Sequence, residues 1–410
     1  MKKDGFMSMT LVYTFLILFL FIMLAILNAY SHENKYLEAI ENKVKDSLKQ
    51  TASKDESLLN KIISDNTPTV DTGVSFGTAA TSGGLFYTSS EDSGDENNDK
   101  TGRRLYYFRG NVTNNYVKFA GYCWRIVRTN ENGSIRLLYH SSTNDSKCNK
   151  AADAPLKNIE FNAGIGNNTD VGYMYGTATS TTHYGYNYYD TTHENLHETT
   201  IKTKLEAWYK NNIANKEITT TSRIVNSIYC NDRSLGAEGT ISSITYGEYG
   251  FSKFPTLYGS TRRNATGGSY GTTFTGTGAT PTFKCMQVND QFTVSEANGG
   301  ASYYGNNDAK YPVGFLTVDE VIYAGGSYGN NNTTYYLKDY PGWTMTPFSF
   351  NGTNASIFVI GANGKVETKI VNSSNTANVV PVISINSDIL VTKGDGTKGN
   401  PYILEEENNE

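Results

Sequence analysis

Residues 115–139 read NYVKFAGYCWRIVRTNENGSIRLLY, and this stretch decides the fold of most of the chain. Apolar and aromatic side chains alternate with polar ones over Asn115–Arg128, and an apolar run returns at Ile135–Tyr139. Alternation with a period of two is typical of a half-buried β-strand. Asn132-Gly133 stands between the two runs and is a strong signal for a hairpin turn. The stretch therefore predicts an antiparallel β-hairpin.

Further short strands are predicted on both sides of this hairpin. Leu85–Tyr87 and Leu105–Phe108 flank an acidic stretch, Glu91–Asp99, which we interpret as a hairpin tip. Apolar alternation returns near the C-terminus, at 357–360, 366–371, 379–385 and 402–404. Helices are fewer. Thr199 or Thr200 caps one, and Thr317–Glu320 is a capping box that opens another. Many strands with two or three helices predict an α+β head.

The N-terminal residues favour a membrane helix. Leu11–Leu27 carries no charge, and with its flanks the apolar stretch within residues 7–30 is long enough to cross a bilayer. Lys2 and Lys3 precede it, which places the N-terminus in the cytoplasm. We therefore expect a single-pass protein of the cell membrane that contacts the membrane through residues 7–30 and has an extracellular head.

A second helical pattern follows this segment. Leu37, Ile40, Val44 and Leu48 recur at helical spacing, and the pattern resumes at residues 58–63 before Thr67-Pro68 ends it. The expected organisation is a leader and transmembrane helix (1–30), an extracytoplasmic helix (31–66), a linker (67–84), a head (85–405) and an acidic tail (406–410).

The first seven residues carry a resemblance to a known family. Lys2-Lys3-Asp4-Gly5-Phe6-Met7 resembles the leader of type IV pilins and pseudopilins, in which a short basic segment and a glycine precede a hydrophobic helix. The resemblance implies cleavage between Gly5 and Phe6, methylation of Phe6, and assembly with other pilin-like subunits. Thr10 stands where that family has a glutamate. The alternative is an uncleaved signal anchor.

The head resembles an uncharacterised domain of surface proteins from Gram-positive gut bacteria. The matching segments lie at 107–112, 118–127, 200–209, 229–234, 311–320 and 343–347. Such domains are similar to the C-type-lectin-like fold, in the version shared with formylglycine-generating enzymes. The expected fold is α+β: a long N-terminal helix, as the resemblance to pilins implies, followed by the β-rich, C-type-lectin-like head that this second resemblance implies. Trp124, Trp208 and Trp343 are expected in its core.

Composition excludes one class of partner. Thirty-five basic residues stand against forty acidic ones, so the chain lacks the excess of cations that nucleic-acid binding requires. We predict no nucleic-acid partner and no cofactor.

One motif argues for catalysis. His193-Glu194-Asn195-Leu196-His197 spells HExxH, which binds zinc only when both histidines lie on one helical face. Here the motif precedes the helix cap at Thr199 or Thr200, so we predict no metal site. A zinc ectoenzyme that uses His193 and His197 is kept as an alternative function.

Four cysteines are expected to form two disulfides, because thiols oxidise outside the membrane. Of three connectivities, sequential pairing of Cys123 with Cys148 and Cys230 with Cys285 is our expectation. Four buried free thiols are the alternative. No cysteine follows Cys285, so formylglycine-generating chemistry is not expected.

Loops rich in tyrosine, glycine and asparagine suggest a ligand-binding surface, because rigid aromatics beside small polar residues are typical of antibody paratopes. The candidates are Tyr303, Tyr304, Tyr335, Tyr336, Phe348 and Phe350. Strand-edge packing is the alternative. The predicted function is a non-catalytic binding or adhesion protein, minor-pilin-like, whose head binds a glycan or protein ligand. A signal-anchored receptor or adhesin outside pili is the second possibility.

Overall fold

The computed structural model describes residues 13–14, 16–23, 56–88, 104–143, 145–164, 166–177, 186–216, 218–241, 243–265, 278–296, 300, 304–372 and 374–405. The chain divides into two units, Met1–Glu56 and Ser57–Glu410. Residues 13–14 and 16–23 are the described part of the first unit before Glu56, and they are helical.

The predicted long N-terminal helix is wrong for the part of the chain that the structure describes. Among those residues, no helix is long and apolar enough to cross a membrane. The predictions of a transmembrane helix, of a pilin-like helix and of single-pass location in the cell membrane are corrected accordingly. The predicted cleavage site, Gly5 and Phe6, lies outside the described residues.

The second unit is rich in β-structure. Its described strands are β1 (Thr69–Val70), β2 (Gly84–Tyr87), β3 (Tyr106–Arg109), β4 (Tyr116–Phe119), β5 (Tyr122–Thr129), β6 (Ile135–Ser142), β7 (Leu156–Glu160), β8 (Met174–Tyr175), β9 (His197–Glu198), β10 (Tyr229–Cys230), β11 (Gly239–Ile241), β12 (Ile244–Tyr246), β13 (Thr256–Leu257), β14 (Gln291–Phe292), β15 (Gly342–Phe350), β16 (Ala355–Ile360), β17 (Val366–Ile370), β18 (Thr376–Val379), β19 (Val382–Ile385), β20 (Val391–Lys393) and β21 (Tyr402–Leu404).

The helices of this unit are short. The described α-helices are α1 (Leu58–Asn66), α2 (Tyr186–Thr192), α3 (Thr200–Tyr209), α4 (Ile218–Ser222), α5 (Gly259–Asn264) and α6 (Val318–Tyr323). Single turns of 3-10 helix lie at Asn168–Val171, Val288–Asp290 and Tyr336–Asp339, and a π-helical turn at Lys210–Ala214 continues α3. The predicted α+β class with a long helix and two or three others is therefore corrected to a β-rich fold with several short helices.

Two sheets organise the unit. The larger has nine described strands: β1, β2, β3, β5, β4, β21 and β20 follow one another, and β6 joins β5 to β19. The smaller has the order β13-β15-β16-β17, and described two-stranded ladders pair β10 with β14, β11 with β12, β7 with β18 and β8 with β9. Most neighbours are antiparallel, whereas β21 runs parallel to β4 and β1 parallel to β2.

The central hairpin forms as the sequence predicts. β5 and β6 are antiparallel, and Thr129 lies opposite Ile135 across the turn that contains Gly133. The single predicted run before it is in fact two strands, because Ala120 and Gly121 both adopt positive φ angles, 53° and 80°. Two consecutive residues of this kind make the tight turn that suits twisted strands, so β4 and β5 are also a hairpin.

A single large apolar cluster underlies these strands. Trp124, Trp208 and Trp343 belong to it, and all three are buried, as predicted. Leu58 and Ile62 of α1 lie in the same cluster, so this helix packs on the head. Residues 67–84, the expected linker, contain β1, which pairs with β2. They therefore lie within the second unit.

Candidate functional site

A small cavity lies where β5, β6 and the start of α6 meet the two segments that contain Cys230 and Cys285. About 410 Å³ of space is free of protein atoms there, part of it open solvent, and the interior has room for one or two water-sized groups. We call it the charged cavity, because eight of its lining side chains are ionisable: Arg128, Glu131, Arg136, Asp232, Arg263, Lys284, Asp319 and Glu320.

Two arginines face each other at the inner end of the cavity. Arg128 of β5 and Arg136 of β6 are direct cross-strand partners, and like charges in this position repel. Glu320 of α6 resolves the conflict. Its Oε1 accepts from Arg128 Nε at 2.7 Å and from Arg136 Nη1 at 2.6 Å. One carboxylate thus ties the hairpin to the helix.

The capping box of α6 holds Glu320 in place. Thr317 Oγ1 accepts from the backbone N–H of Glu320, and Glu320 Oε2 accepts from the backbone N–H of Thr317 at 3.0 Å. Burial alone would raise the pKa of Glu320, but the charges of Arg136 and Arg128 outweigh burial and lower the pKa to about 2. The side chain therefore remains ionised at neutral pH.

A second ion network lies toward the outside. Arg263 Nη2 donates to Asp232 Oδ2 at 2.6 Å and to Asp319 Oδ2 at 3.2 Å. Asn264 and the backbone N–H of Thr282 also donate to Asp319 Oδ1, each at 3.0 Å. Burial lowers the pKa of Arg263, but the two carboxylates raise it further, so the guanidinium stays charged.

One donor of Arg136 is left without a partner in the described part of the chain. Arg136 is 1% exposed, and its Nη2 donates to the carbonyl of Ile228. Its Nε–H has no hydrogen-bond partner among the described residues. A buried donor of this kind is costly unless something accepts from it. The guanidinium of Arg136 lies instead against the ring of Tyr229, with its Cζ 5.0 Å from the ring centroid.

The Cys230–Cys285 disulfide lies at the mouth of the cavity. Cys230, Thr282 and Lys284 line the cavity and are half-buried, so the bridge joins the two segments that form its rim. The other disulfide joins Cys123 of β5 to Cys148. The predicted sequential pairing is confirmed, and the described chain contains no free cysteine.

Four of the six predicted ligand-binding aromatics are core residues. Tyr335 and Phe350 are 0% exposed, Tyr336 4% and Phe348 6%, so their rings offer no face to a ligand. Their prediction as a binding surface is wrong. Loop composition gave the wrong answer because Phe348 and Phe350 belong to β15, whose nine residues are all buried.

The remaining tyrosine pair has a different position. Tyr303 lies outside the described residues. Tyr304 is half-buried, and its hydroxyl donates to Glu131 Oε1, a carboxylate that lines the charged cavity. Tyr304 therefore contacts a residue of the charged cavity without lining the cavity itself.

The HExxH motif does not form a zinc site. His193 directly follows α2, whereas His197 lies in β9, so the two are not on one helix. His193 is 1% exposed, and its Nδ1 lies 2.9 Å from the carbonyl oxygen of Tyr189. Burial and then the charge of Arg233 lower its pKa to about 3. In the described part of the chain, no group of three or more His, Cys, Asp or Glu side chains could hold a metal ion.

No protein-family model, curated protein or solved structure matches the chain. The resemblance of the head to the C-type-lectin-like fold stays a prediction for that reason. The charged cavity itself was not expected from the sequence. The available signal was the presence of two arginines, Arg128 and Arg136, in the two strands of the predicted hairpin.

Proposed function

We propose that the second unit is a non-catalytic binding or adhesion module, and that its ligand enters the charged cavity. The observation that carries this proposal is the concentration of eight ionisable side chains around one cavity, where Arg263 and Lys284 remain half-buried rather than buried. A polar ligand at this point would exchange hydrogen bonds with these side chains.

The chemistry of the carboxylates favours binding over catalysis. A general acid or base works best when its pKa lies near the working pH. Glu320, with a pKa of about 2 and two arginines in contact, is instead a fixed acceptor. Asp232 and Asp319 are likewise held by Arg263. Side chains fixed in this way are suited to present donors and acceptors in a constant geometry.

The two disulfides favour a location in an oxidising environment, because such bonds persist there. A module of this kind would bind a glycan or a protein on the surface of another cell. The bridge at the cavity mouth would keep the binding rim assembled there.

A binding screen tests this proposal. The full chain, purified oxidised, would be screened by saturation-transfer NMR against neutral and acidic glycans and short peptides. We expect at least one ligand whose signal is lost in Lys284→Met, at the mouth, and kept in Lys393→Met, an exposed residue of β20. A screen without any ligand, or ligands bound equally by both variants, would contradict the proposed site.

A further inference from the structure

A groove separate from the charged cavity lies where the smaller sheet meets β18. It is lined by residues 341–342, 359–362, 367–369 and 377–378, and we call it the sheet groove. About 620 Å³ of space is free of protein atoms there, part of it open solvent, and its interior measures about 260 Å³. Ligand pockets in proteins measure about 300–1,000 Å³, so the sheet groove suits a small or slender ligand.

Two glycines allow the groove to form. A Cβ atom on Gly342 would lie 2.5 Å from the carbonyl oxygen of Asn378, and a Cβ atom on Gly361 would lie 2.5 Å from Glu367 Oε1. Any larger residue at these positions would push β18 or the Glu367 carboxylate away from the sheet. The two glycines thus set the position of one strand and one carboxylate of the groove.

The polar side chains of the groove can form further hydrogen bonds. Glu367 Oε2 accepts from Lys365 Nζ at 2.6 Å, and Glu367 Oε1 has no partner among the described residues. Lys369 Nζ donates to the carbonyl of Thr376 at 2.7 Å and carries two further N–H groups. The side-chain amide of Asn378 forms no hydrogen bond within the described part of the chain.

The spacing of these groups matches an extended peptide. Glu367 and Lys369 are alternate residues of β17, so they project from the same face of the sheet, with Cα atoms about 7 Å apart. An extended chain repeats its own N–H and C=O groups on one side at the same interval. One N–H can donate to Glu367 Oε1 while a C=O two residues along accepts from Lys369 Nζ. Asn378 can bond a further peptide group, because its amide both donates and accepts.

The floor of the groove favours a peptide over a sugar. None of the lining residues that the structure describes is aromatic, and the apolar ones are small or aliphatic: Pro341, Val359, Ile360, Ala362 and Ala377. A sugar would find no aromatic ring to stack on, whereas an aliphatic side chain would bury apolar area there. The lining carries one carboxylate, Glu367, and one ammonium, Lys369, so it does not select a charged ligand.

We propose that the sheet groove binds an extended, uncharged peptide segment of a partner protein. An aliphatic side chain of the segment lies on the floor, and its backbone groups bond to Glu367, Lys369 and Asn378. The groove shares no lining residue with the charged cavity, so this inference does not rest on the ligand proposed for that cavity.

NMR titration of the full oxidised chain tests this inference. The probes are blocked tripeptides with alanine at both ends and valine, leucine or isoleucine at the centre, and galactose is the comparison ligand. We expect the peptides to bind with millimolar dissociation constants and to shift the backbone amide signals of Gly342 and Gly361. No peptide binding, shifts confined to residues outside the groove, or stronger shifts of these glycines with galactose would overturn the inference.

Matched variants separate the groove from the rest of the surface. Asn378→Ala removes the amide, and Lys369→Met removes the donor of β17; each should weaken peptide binding on the order of tenfold. Asn211→Ala and Lys393→Met change exposed residues outside the groove and should leave the affinity unchanged. Thermal melting, followed in parallel, shows that the variants are folded. Unchanged affinity in both groove variants, or an equal loss in the controls, would overturn the assignment of the site.

Discussion

Replacing Glu320 with glutamine should destabilise the protein at neutral pH, and the loss should shrink in acid. The carboxylate of Glu320 lies 2.7 Å from Arg128 Nε and 2.6 Å from Arg136 Nη1, and both arginines are buried. Glutamine has a similar shape but no charge, so it leaves the two guanidinium groups opposite each other without compensation. Removing one partner of a buried ion pair typically costs about 3–5 kcal/mol.

The pKa gives the pH dependence and its sign. The folded pKa of Glu320, about 2, lies below the ordinary value of 4.5, so the stabilisation is fully present above pH 4.5 and is lost as the pH falls toward 2. At 1.36 kcal/mol for each pKa unit, the charge contributes about 3 kcal/mol at pH 7. Near pH 3 about 1 kcal/mol remains.

Urea unfolding of the wild type and Glu320→Gln between pH 7 and pH 3 measures this effect. Protonation of buried histidines such as His193 destabilises both proteins in acid. The difference between their free energies of unfolding therefore isolates the contribution of Glu320. Glu367→Gln is the control, because Glu367 pairs with Lys365 at a surface site where ion pairs contribute little. A difference that stays constant with pH, or an equal loss in the control, would refute the reasoning.

Three further predictions test other parts of the structure. Replacing Cys230 and Cys285 with serine should lower the free energy of unfolding by about 4 kcal/mol, because the bridge spans 55 residues; an unchanged urea midpoint would contradict this. Tyr335→Phe should melt at the same temperature as the wild type or higher, since the Tyr335 hydroxyl is buried without a partner among the described residues; clear destabilisation would reveal a hydrogen bond. The ring of His193 has a folded pKa of about 3, so NMR should show no protonation of this ring between pH 8 and pH 5. The burial of the neutral ring destabilises the fold progressively as the pH falls from 6.5 toward 3. A titration midpoint near pH 6.5 would mean that the ring is exposed.

Local signals predicted local structure well. The β5–β6 hairpin, the start of α3 after Thr199 and the capping box at Thr317 all depend on residues a few positions apart. Each lies where it was predicted, although the side chain of Thr199 makes no capping hydrogen bond. The turn at Ala120-Gly121 was missed, because both flanking runs alternate in the same way and read as one strand. The membrane prediction is not supported, since no helix among the described residues is long and apolar enough to cross a bilayer.

The site depends on contacts that no local pattern contains. Arg128 and Glu320 are 192 positions apart, and the rim joins Cys230 to Cys285. A tyrosine pair such as Tyr335-Tyr336 looks the same in sequence whether it faces solvent or the core. Here both tyrosines lie in the core, because burying their aromatic rings contributes more free energy than burying their hydroxyl groups costs.

The pairing of the two ends of the second unit has a consequence for the time at which it folds. β21 adds to the sheet next to β4, and the backbone N–H of Leu58 donates to the carbonyl of Ile389 at 2.8 Å. β4 therefore cannot pair with β21 until hundreds of further residues have been synthesised. Contacts so distant along the chain slow folding. The early hairpin can form on the ribosome, but the sheet closes only after nearly the whole unit has emerged, and until then its open edge is accessible to proteases.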